Sequence, residues 1–240
     1  MQHALTRLIF FALIGLALIS TAAVAQQSYC SSDGQPTPSA VLERFMDADC
    51  VACWKDAHAP RPAAGEIALD WVTPGPHGDD APMSAIATRD ADERLRSLAL
   101  SVPAGSAIKH HASISKPALA LRVARGLPFN DYIGASIGLT PATALRGKGK
   151  VSAWLLLVET LPAGTEGTPV ERNLVRNALI LDWDSKTGPR PAGATARWFE
   201  ARSMQIADGA DPKRLRMVGL LQDAHGHLLA AAVSHCAATH

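Results

Sequence analysis

The feature that most constrains the fold of this chain is a pair of cysteines, Cys50 and Cys53, that are separated by two residues. Two thiols at this spacing can close a small disulfide ring at the first turn of a helix. The preceding residues 41–46 are typical of a short strand, and residues 54–59 favour a helix that Pro60 would end. The motif alone leaves three interpretations open: a redox-active thiol pair, a structural disulfide, or one half of a zinc site.

Composition bounds the class of protein. The chain has 240 residues, of which 48% are hydrophobic, and this is enough for one substantial core or two small domains. Lysine and arginine nearly balance aspartate and glutamate, which leaves a formal net charge of +1. A charge this small creates no strong field towards polyanions. We therefore expect no nucleic-acid partner.

The first 25 residues predict a secretory signal peptide. His3 and Arg7 precede an apolar run over residues 8–18, and small residues follow up to an A-x-A pattern that ends at Ala25. We predict cleavage after Ala25, a periplasmic or secreted location and no membrane span after cleavage. The alternative is an uncleaved membrane anchor, since residues 8–25 are just long enough to span a bilayer.

Export changes the interpretation of the four cysteines. All of them follow the predicted cleavage site, and an even number in an oxidising compartment favours disulfides or a thiol-redox pair. Of the three possible pairings, the least forced joins Cys50 to Cys53 and Cys30 to Cys236, because local closure competes best. The second bridge would be a structural disulfide near the termini, worth about 5 kcal/mol in the chain-entropy model. The alternative is that Cys30 and Cys236 stay unpaired or bind another chain.

The rest of the chain predicts two domains. Residues 26–39 are a polar linker, and residues 40–105 contain strands at 41–46 and 67–72 and a helix at 84–100. Residues 106–240 contain short apolar runs separated by turn residues, with little helix. This pattern predicts an all-β antiparallel sandwich. The seven predicted strands of the sandwich are residues 118–123, 132–139, 151–160, 174–183, 195–202, 215–222 and 228–233.

These features together resemble a family of secreted bacterial proteins of unknown function that have a thioredoxin-like front half. The resemblance rests on residues 41–45 running into residues 49–53, on residues 170–176 and on the closing hairpin at 218–233. It implies an α/β thioredoxin-like domain over residues 40–105. It also implies that the cis-proline facing the cysteines in such folds is Pro103. Trp54 follows the second cysteine, where that family tends to have proline.

The resemblance implies thiol-disulfide chemistry at the CxxC pair. Cys50 at a helix start would be the attacking thiolate and Cys53 the resolving thiol. A helix terminus supplies only about 0.3 to 1 kcal/mol in exposed settings, which is less than one pKa unit. Asp47 and Asp49 oppose the thiolate, while Lys55 and a protonated His58 would favour it, so the direction of electron flow stays open.

Two functions follow from these observations. The leading hypothesis is an exported thiol-disulfide redox protein that uses Cys50 and Cys53 as catalytic residues on other envelope proteins. The alternative is a non-catalytic periplasmic binding or interaction module with structural disulfides. We expect no cofactor and no metal, because the CxxC supplies only two of four zinc ligands. A G-x-S-x-G pattern at residues 134–138 does not indicate a hydrolase, because it lies inside a strand-like run.

Overall fold

The structure is a computed structural model that describes residues 29–116, 119–140, 145, 149–184 and 198–236. The predicted signal peptide lies outside these residues. The described strands are β1 (Cys30–Ser31), β2 (Ala40–Asp47), β3 (Glu66–Thr73), β4 (Ala107–Ser113), β5 (Ala120–Phe129), β6 (Tyr132–Thr140), β7 (Lys150–Leu161), β8 (Arg172–Asp184), β9 (Trp198–Gln205), β10 (Leu215–Asp223), β11 (Leu228–Val233) and β12 (His235–Cys236). The α-helices are α1 (Val51–Trp54) and α2 (Arg89–Ser97), and short 3-10 helices cover Gly78–Asp80, Ser84–Ile86 and Pro212–Arg214.

The strands form two sheets. The larger sheet has seven strands in the order β11, β10, β7, β8, β3, β2, β4, and the smaller has five in the order β12, β1, β5, β6, β9. The smaller sheet is antiparallel throughout. In the larger sheet, β2 and β3 run parallel to each other, and β3 runs parallel to β8 at a single residue pair, Asp70 and Leu174. Its other pairings are antiparallel.

Hydrophobic patterning explains which faces are covered. β7 is apolar over most of its length because both of its faces are buried, as is usual for a central strand. Leu155 and Leu157 belong to the core between the two sheets, and Trp154 and Leu156 belong to a second core on the opposite face. β6 instead alternates between buried and exposed residues, because only one of its faces packs against the larger sheet.

Helix α2 covers the second core. Its Ala91 and Leu95 are fully buried and pack in the same cluster as Trp71. The helix is shorter than the predicted 84–100, because Thr88 caps its N-terminus by accepting a hydrogen bond from the Ala91 backbone N–H. A third, smaller core around α1 packs Trp54 against strand residues such as Met46 and Val72.

The predicted fold class, an α/β thioredoxin-like domain followed by an all-β sandwich, is wrong. The prediction assigned β2 and β3 to the thioredoxin-like part and did not include β4. All three strands belong to the same sheet as β7, β8, β10 and β11. The helix α1 at the CxxC is a single turn of four residues, too short to cover a sheet face as a thioredoxin helix does. The chain is therefore mostly β in its described part, with two sheets and two α-helices.

The domain limits of the prediction, 26–39, 40–105 and 106–240, stay a prediction. In the larger sheet, β2, which precedes residue 105, pairs along its length with β4, which follows residue 105. The β-rich character expected after residue 106 is present, and every strand predicted there overlaps a described strand. Strand β4 was not predicted, because three consecutive polar residues, Lys109, His110 and His111, lie at its centre and it contains a single β-branched residue, Ile108.

The predicted disulfide between Cys30 and Cys236 is present and ties the two ends of the described chain together. The two cysteines face each other in the register of β1 and β12, and 206 residues separate them in sequence. Cys30 is 1% exposed, and the Arg125 guanidinium donates a hydrogen bond to the Cys236 sulfur. The bridge thereby ties the edge strand β12 to the rest of the small sheet, because β1 also pairs with β5.

The close packing of the two sheets can be tested at Gly219 in β10. A Cβ atom there would lie 2.5 Å from Val123 Cγ1 and 3.3 Å from Ile137 Cδ1, both buried in the core between the sheets. We expect Gly219→Ala to lower the free energy of unfolding by about 1 to 3 kcal/mol through overpacking, measured by urea denaturation. Gly134→Ala is the matched control, because a Cβ in β6 meets no atom within 4 Å. Equal stability of the two variants would contradict this packing.

Candidate functional site

The CxxC turn, residues 50–53, follows the end of β2 and contains the start of α1. Cys50 occupies the N-cap position of α1, and its sulfur accepts a hydrogen bond from the Cys53 backbone N–H at 3.3 Å. Cys50 and Cys53 form a disulfide, as predicted. The helix covers residues 51–54 rather than the predicted 54–59, so both cysteines lie within one turn of it.

The two sulfur-bearing residues differ in exposure. Cys50 is 7% exposed, whereas Cys53 is half-buried. Trp54, the last residue of α1, is buried and donates its indole N–H to the Glu166 carbonyl at 2.8 Å. The predicted attacking cysteine is therefore the more covered of the two.

Arg172, the first residue of β8, holds the CxxC turn from the sheet side. One of its guanidinium nitrogens donates to the carbonyls of Cys53 and Trp54, each at 3.0 Å. The guanidinium also lies over the Trp54 ring, 5.4 Å from the ring centroid. These contacts satisfy carbonyls at the end of a one-turn helix, which have no partner within the helix.

The charge of Arg172 is balanced by Asp70, which is fully buried in β3. Asp70 accepts from Arg172 at 3.0 Å and from Arg44 at 2.5 Å, and it also accepts the backbone N–H of Asn173 at 2.8 Å. Arg44, Asp70 and Arg172 are called the Asp70 cluster below. Breaking a buried pair by removing one partner typically costs about 3 to 5 kcal/mol, because a buried charge is left uncompensated.

Two carboxylates flank the CxxC turn. Asp47 is buried and accepts the backbone N–H groups of Asp49 and Gly105. Asp49 accepts a hydrogen bond from the backbone of His77, and its carboxylate lies 2.9 Å from the His77 ring nitrogen. Gly75 permits this arrangement, since a Cβ there would clash with the Asp49 carboxylate. The acidic groups next to Cys50 are thus committed to ordering the turn.

The candidate cis-proline, Pro103, lies in the segment that leads into β4. It is buried, and the backbone N–H of Gly105 two residues later reaches Asp47, three residues before Cys50. The segment is therefore adjacent to the end of β2 from which the CxxC turn begins. Its role as a cis-proline stays a prediction.

A second cluster of buried charge lies under α2. Glu43 is fully buried and accepts two hydrogen bonds from Arg94, at 2.7 and 2.8 Å, and one from the Trp71 indole at 3.0 Å. Arg94 donates also to Gln222. Burial raises the pKa of Glu43, but the charge and hydrogen bonds of Arg94, helped by His110, more than offset this and lower it to about 2.

Neither cluster was predicted from the sequence. The sequence feature that could have indicated them is a charged residue inside an otherwise apolar strand: Glu43 and Arg44 in β2, and Asp70 in β3. A charge at such a position is buried with a partner, because an unpaired buried charge is too costly. The spacing along the chain does not reveal which partner it is.

The described residues contain no group of three or more histidine, cysteine, aspartate or glutamate side chains that could hold a metal ion. None of the helices in the described ranges is long and apolar enough to cross a membrane.

The Glu43 and Arg94 pair predicts acid sensitivity. Because the pKa of Glu43 falls from 4.5 to about 2 on folding, its stabilisation is complete above pH 4.5 and is lost as the pH falls towards 2. This contribution is about 3 kcal/mol. We expect Glu43→Gln to be less stable at pH 7 and to show a flatter decline of unfolding free energy between pH 4.5 and 2, measured by urea denaturation.

The exposed Glu93, which pairs with Arg96 on the surface of α2, provides the control. Glu93→Gln should keep the acid dependence of the wild type. An unchanged slope in Glu43→Gln would show that other groups cause the acid sensitivity.

Comparisons with known proteins give a distant structural likeness. No protein-family model matches the chain, and no curated protein matches it. Among solved structures, the chain is similar to HBP35 of Porphyromonas gingivalis, at 15% sequence identity and a TM-score of 0.45, covering 84% of this chain and 75% of that one. A likeness this distant carries no argument about fold or function.

Proposed function

We propose that the chain is a non-catalytic binding or interaction module of the bacterial envelope, in which both disulfides are structural. The observation that carries this proposal is the covered position of the Cys50 sulfur in a turn that Arg172 fastens to the sheet. Location in the envelope rests on the predicted signal peptide and on the two disulfides, which persist in oxidising compartments.

Thiol exchange requires access to a sulfur and a stable leaving thiolate. An incoming thiolate attacks one sulfur of the bridge, the S–S bond breaks, and the other sulfur leaves as a thiolate. Attack on Cys50 is hindered by its burial. Attack on Cys53 would release Cys50 as a thiolate in a buried site beside Asp47 and Asp49, which disfavours the charge. Either route opposes rapid exchange.

Movement of the turn would also be costly. Swinging the CxxC turn outward breaks the two hydrogen bonds from Arg172 to the carbonyls of Cys53 and Trp54. Arg172 and Asp70 would then rearrange in the interior of the protein, where a charge without a partner costs several kcal/mol. The contacts thus favour a fixed brace over a mobile reactive loop.

The two disulfides differ in what they stabilise. In the chain-entropy model the bridge between Cys30 and Cys236 is worth about 5 kcal/mol, and the short ring between Cys50 and Cys53 only about 2 kcal/mol. The first bridge therefore stabilises the whole fold, whereas the second defines the local shape of one turn.

The second candidate function is the thiol-disulfide redox chemistry on envelope proteins that the sequence favours. One observation supports it, namely the partial exposure of Cys53 in a turn that follows a strand. In that case Cys53, and not Cys50, would be the sulfur that reacts with an incoming thiol.

Redox titration separates these functions. We expect the Cys50 and Cys53 bridge to have a midpoint potential below about −300 mV, as structural disulfides do, and the protein not to accelerate reduction of insulin by dithiothreitol. The readout is alkylation of reduced thiols, located by peptide mass spectrometry. A midpoint between about −120 and −270 mV, the range of known oxidoreductases, with fast alkylation of Cys53, would contradict the proposal.

The control is the Cys50→Ser/Cys53→Ser variant, in which only the bridge between Cys30 and Cys236 remains. It should show no change in insulin reduction relative to the wild type, and a loss of unfolding free energy of about 2 kcal/mol or less.

A further inference from the structure

A cavity of about 360 Å³ lies on the side of the larger sheet that carries the Asp70 cluster. Its walls come from β2, β3, β8, the loop before β3 and the loop that joins β7 to β8. The residues that matter for its chemistry are Arg44, Arg61, Ala68, Val170, Glu171 and Asn173. The cavity therefore shares Arg44 with the cluster that holds the CxxC turn.

Positive charge exceeds negative charge around this cavity. Arg44 is buried, and its Nε–H has no hydrogen-bond partner among the described residues. Arg216 donates to the side-chain oxygen of Asn173, and its own Nε–H likewise lacks a partner in the described ranges. Burial lowers the pKa of Arg216, and the nearby Glu171 only partly offsets this.

Of the two carboxylates near the cavity, Asp70 and Glu171, only Asp70 is buried. Asp70 is shared between Arg44 and Arg172, so it cannot balance both. Glu171 lies at the exposed edge of the cavity. Buried arginines that outnumber their carboxylates carry a desolvation cost, which a bound anion would reduce.

The lining also offers donors for a ligand. Arg61 is exposed and forms no ion pair with any residue that the structure describes. The side-chain nitrogen of Asn173 donates no hydrogen bond within the described part of the chain, since the Thr160 hydroxyl and Arg216 both bond to the side-chain oxygen. Ala68 and Val170, together with neighbouring prolines, give the cavity an apolar wall.

We propose that this cavity binds a small organic carboxylate. Arg61 and Asn173 donate hydrogen bonds to the carboxylate group, Arg44 in the cavity wall contributes its positive charge, and a short hydrocarbon chain lies against Ala68 and Val170. A monocarboxylate fits better than phosphate for two reasons. Glu171 repels a dianion more strongly, and phosphate has no hydrocarbon part to pack against the apolar wall. The inference rests on the proposed function, for which it names the ligand class.

Calorimetric titration with matched probes tests the proposal. The oxidised full chain is titrated at pH 7, in low salt and a buffer without carboxylate or phosphate, with hexanoate and separately with hexanamide. The two probes have the same size and shape but differ in charge. We expect hexanoate to bind at least about tenfold more tightly, since a hydrogen bond to a charged group is worth about 1.5 to 3 kcal/mol. Inorganic phosphate should bind more weakly than hexanoate.

Surface variants locate the site without disturbing the buried arginines. We expect Arg61→Ala to weaken hexanoate binding by about fivefold, as for a partly exposed charge pair, and Glu171→Gln to strengthen it. Arg89→Ala is the matched control, because Arg89 is an exposed arginine on α2, which packs on the opposite face of the sheet. Its affinity should equal that of the wild type.

Three results would overturn the inference: equal affinity for hexanoate and hexanamide, no binding of hexanoate, or equal effects of the Arg61 and Arg89 variants. Tighter binding of phosphate than of hexanoate would also overturn it in favour of an inorganic anion. Failure of the proposed function is recognised separately, because a redox-active CxxC is detected by thiol alkylation and not by the titration.

Discussion

The pairing of Asp70 with Arg44 and Arg172 is the interaction on which the rest of the structure depends. Strand β3 meets β8 at only one residue pair in the parallel register, so the backbone ladder there is minimal. The Asp70 carboxylate supplies much of the missing connection, since it binds the side chain and the neighbouring backbone at the start of β8 as well as Arg44 of β2. One buried carboxylate thus joins the first strands of the chain to the later ones.

The same cluster links the two places that bear on function. Arg172 reaches from Asp70 to the carbonyls at the end of α1 and holds the CxxC turn against the sheet. Arg44 reaches from Asp70 to the Pro60 carbonyl and forms part of the wall of the cavity. The disulfide ring, the sheet and the cavity are therefore mechanically connected, and a rigid CxxC turn preserves the position of the arginine that the proposed ligand needs. On the opposite face, Glu43 and Arg94 fasten α2 to the same two strands.

Much of the strand pattern is predictable from the sequence, whereas the sheet arrangement is not. β11 matches its predicted range and β7 and β8 lie close to theirs, because apolar runs with β-branched residues bounded by turns are local signals. The order strand, CxxC and helix is also local, and it suggested a thioredoxin-like unit. Which strand lies beside β3 depends instead on residues about a hundred positions away, and nothing local to Asp70 indicates Arg172. The disulfides were predictable because four cysteines allow only three pairings.

The claim that Arg172 and the disulfide hold the same turn is tested most directly by a double-mutant cycle. The cycle combines Arg172→Met with Cys50→Ser/Cys53→Ser and keeps the bridge between Cys30 and Cys236 intact. If Arg172 and the disulfide hold the same turn, their effects on the free energy of unfolding are coupled, and the account predicts an interaction energy of at least about 1 kcal/mol. Effects that add to within about 0.5 kcal/mol would show that the two hold the protein independently, and would contradict the claim that the Asp70 cluster fixes the CxxC turn.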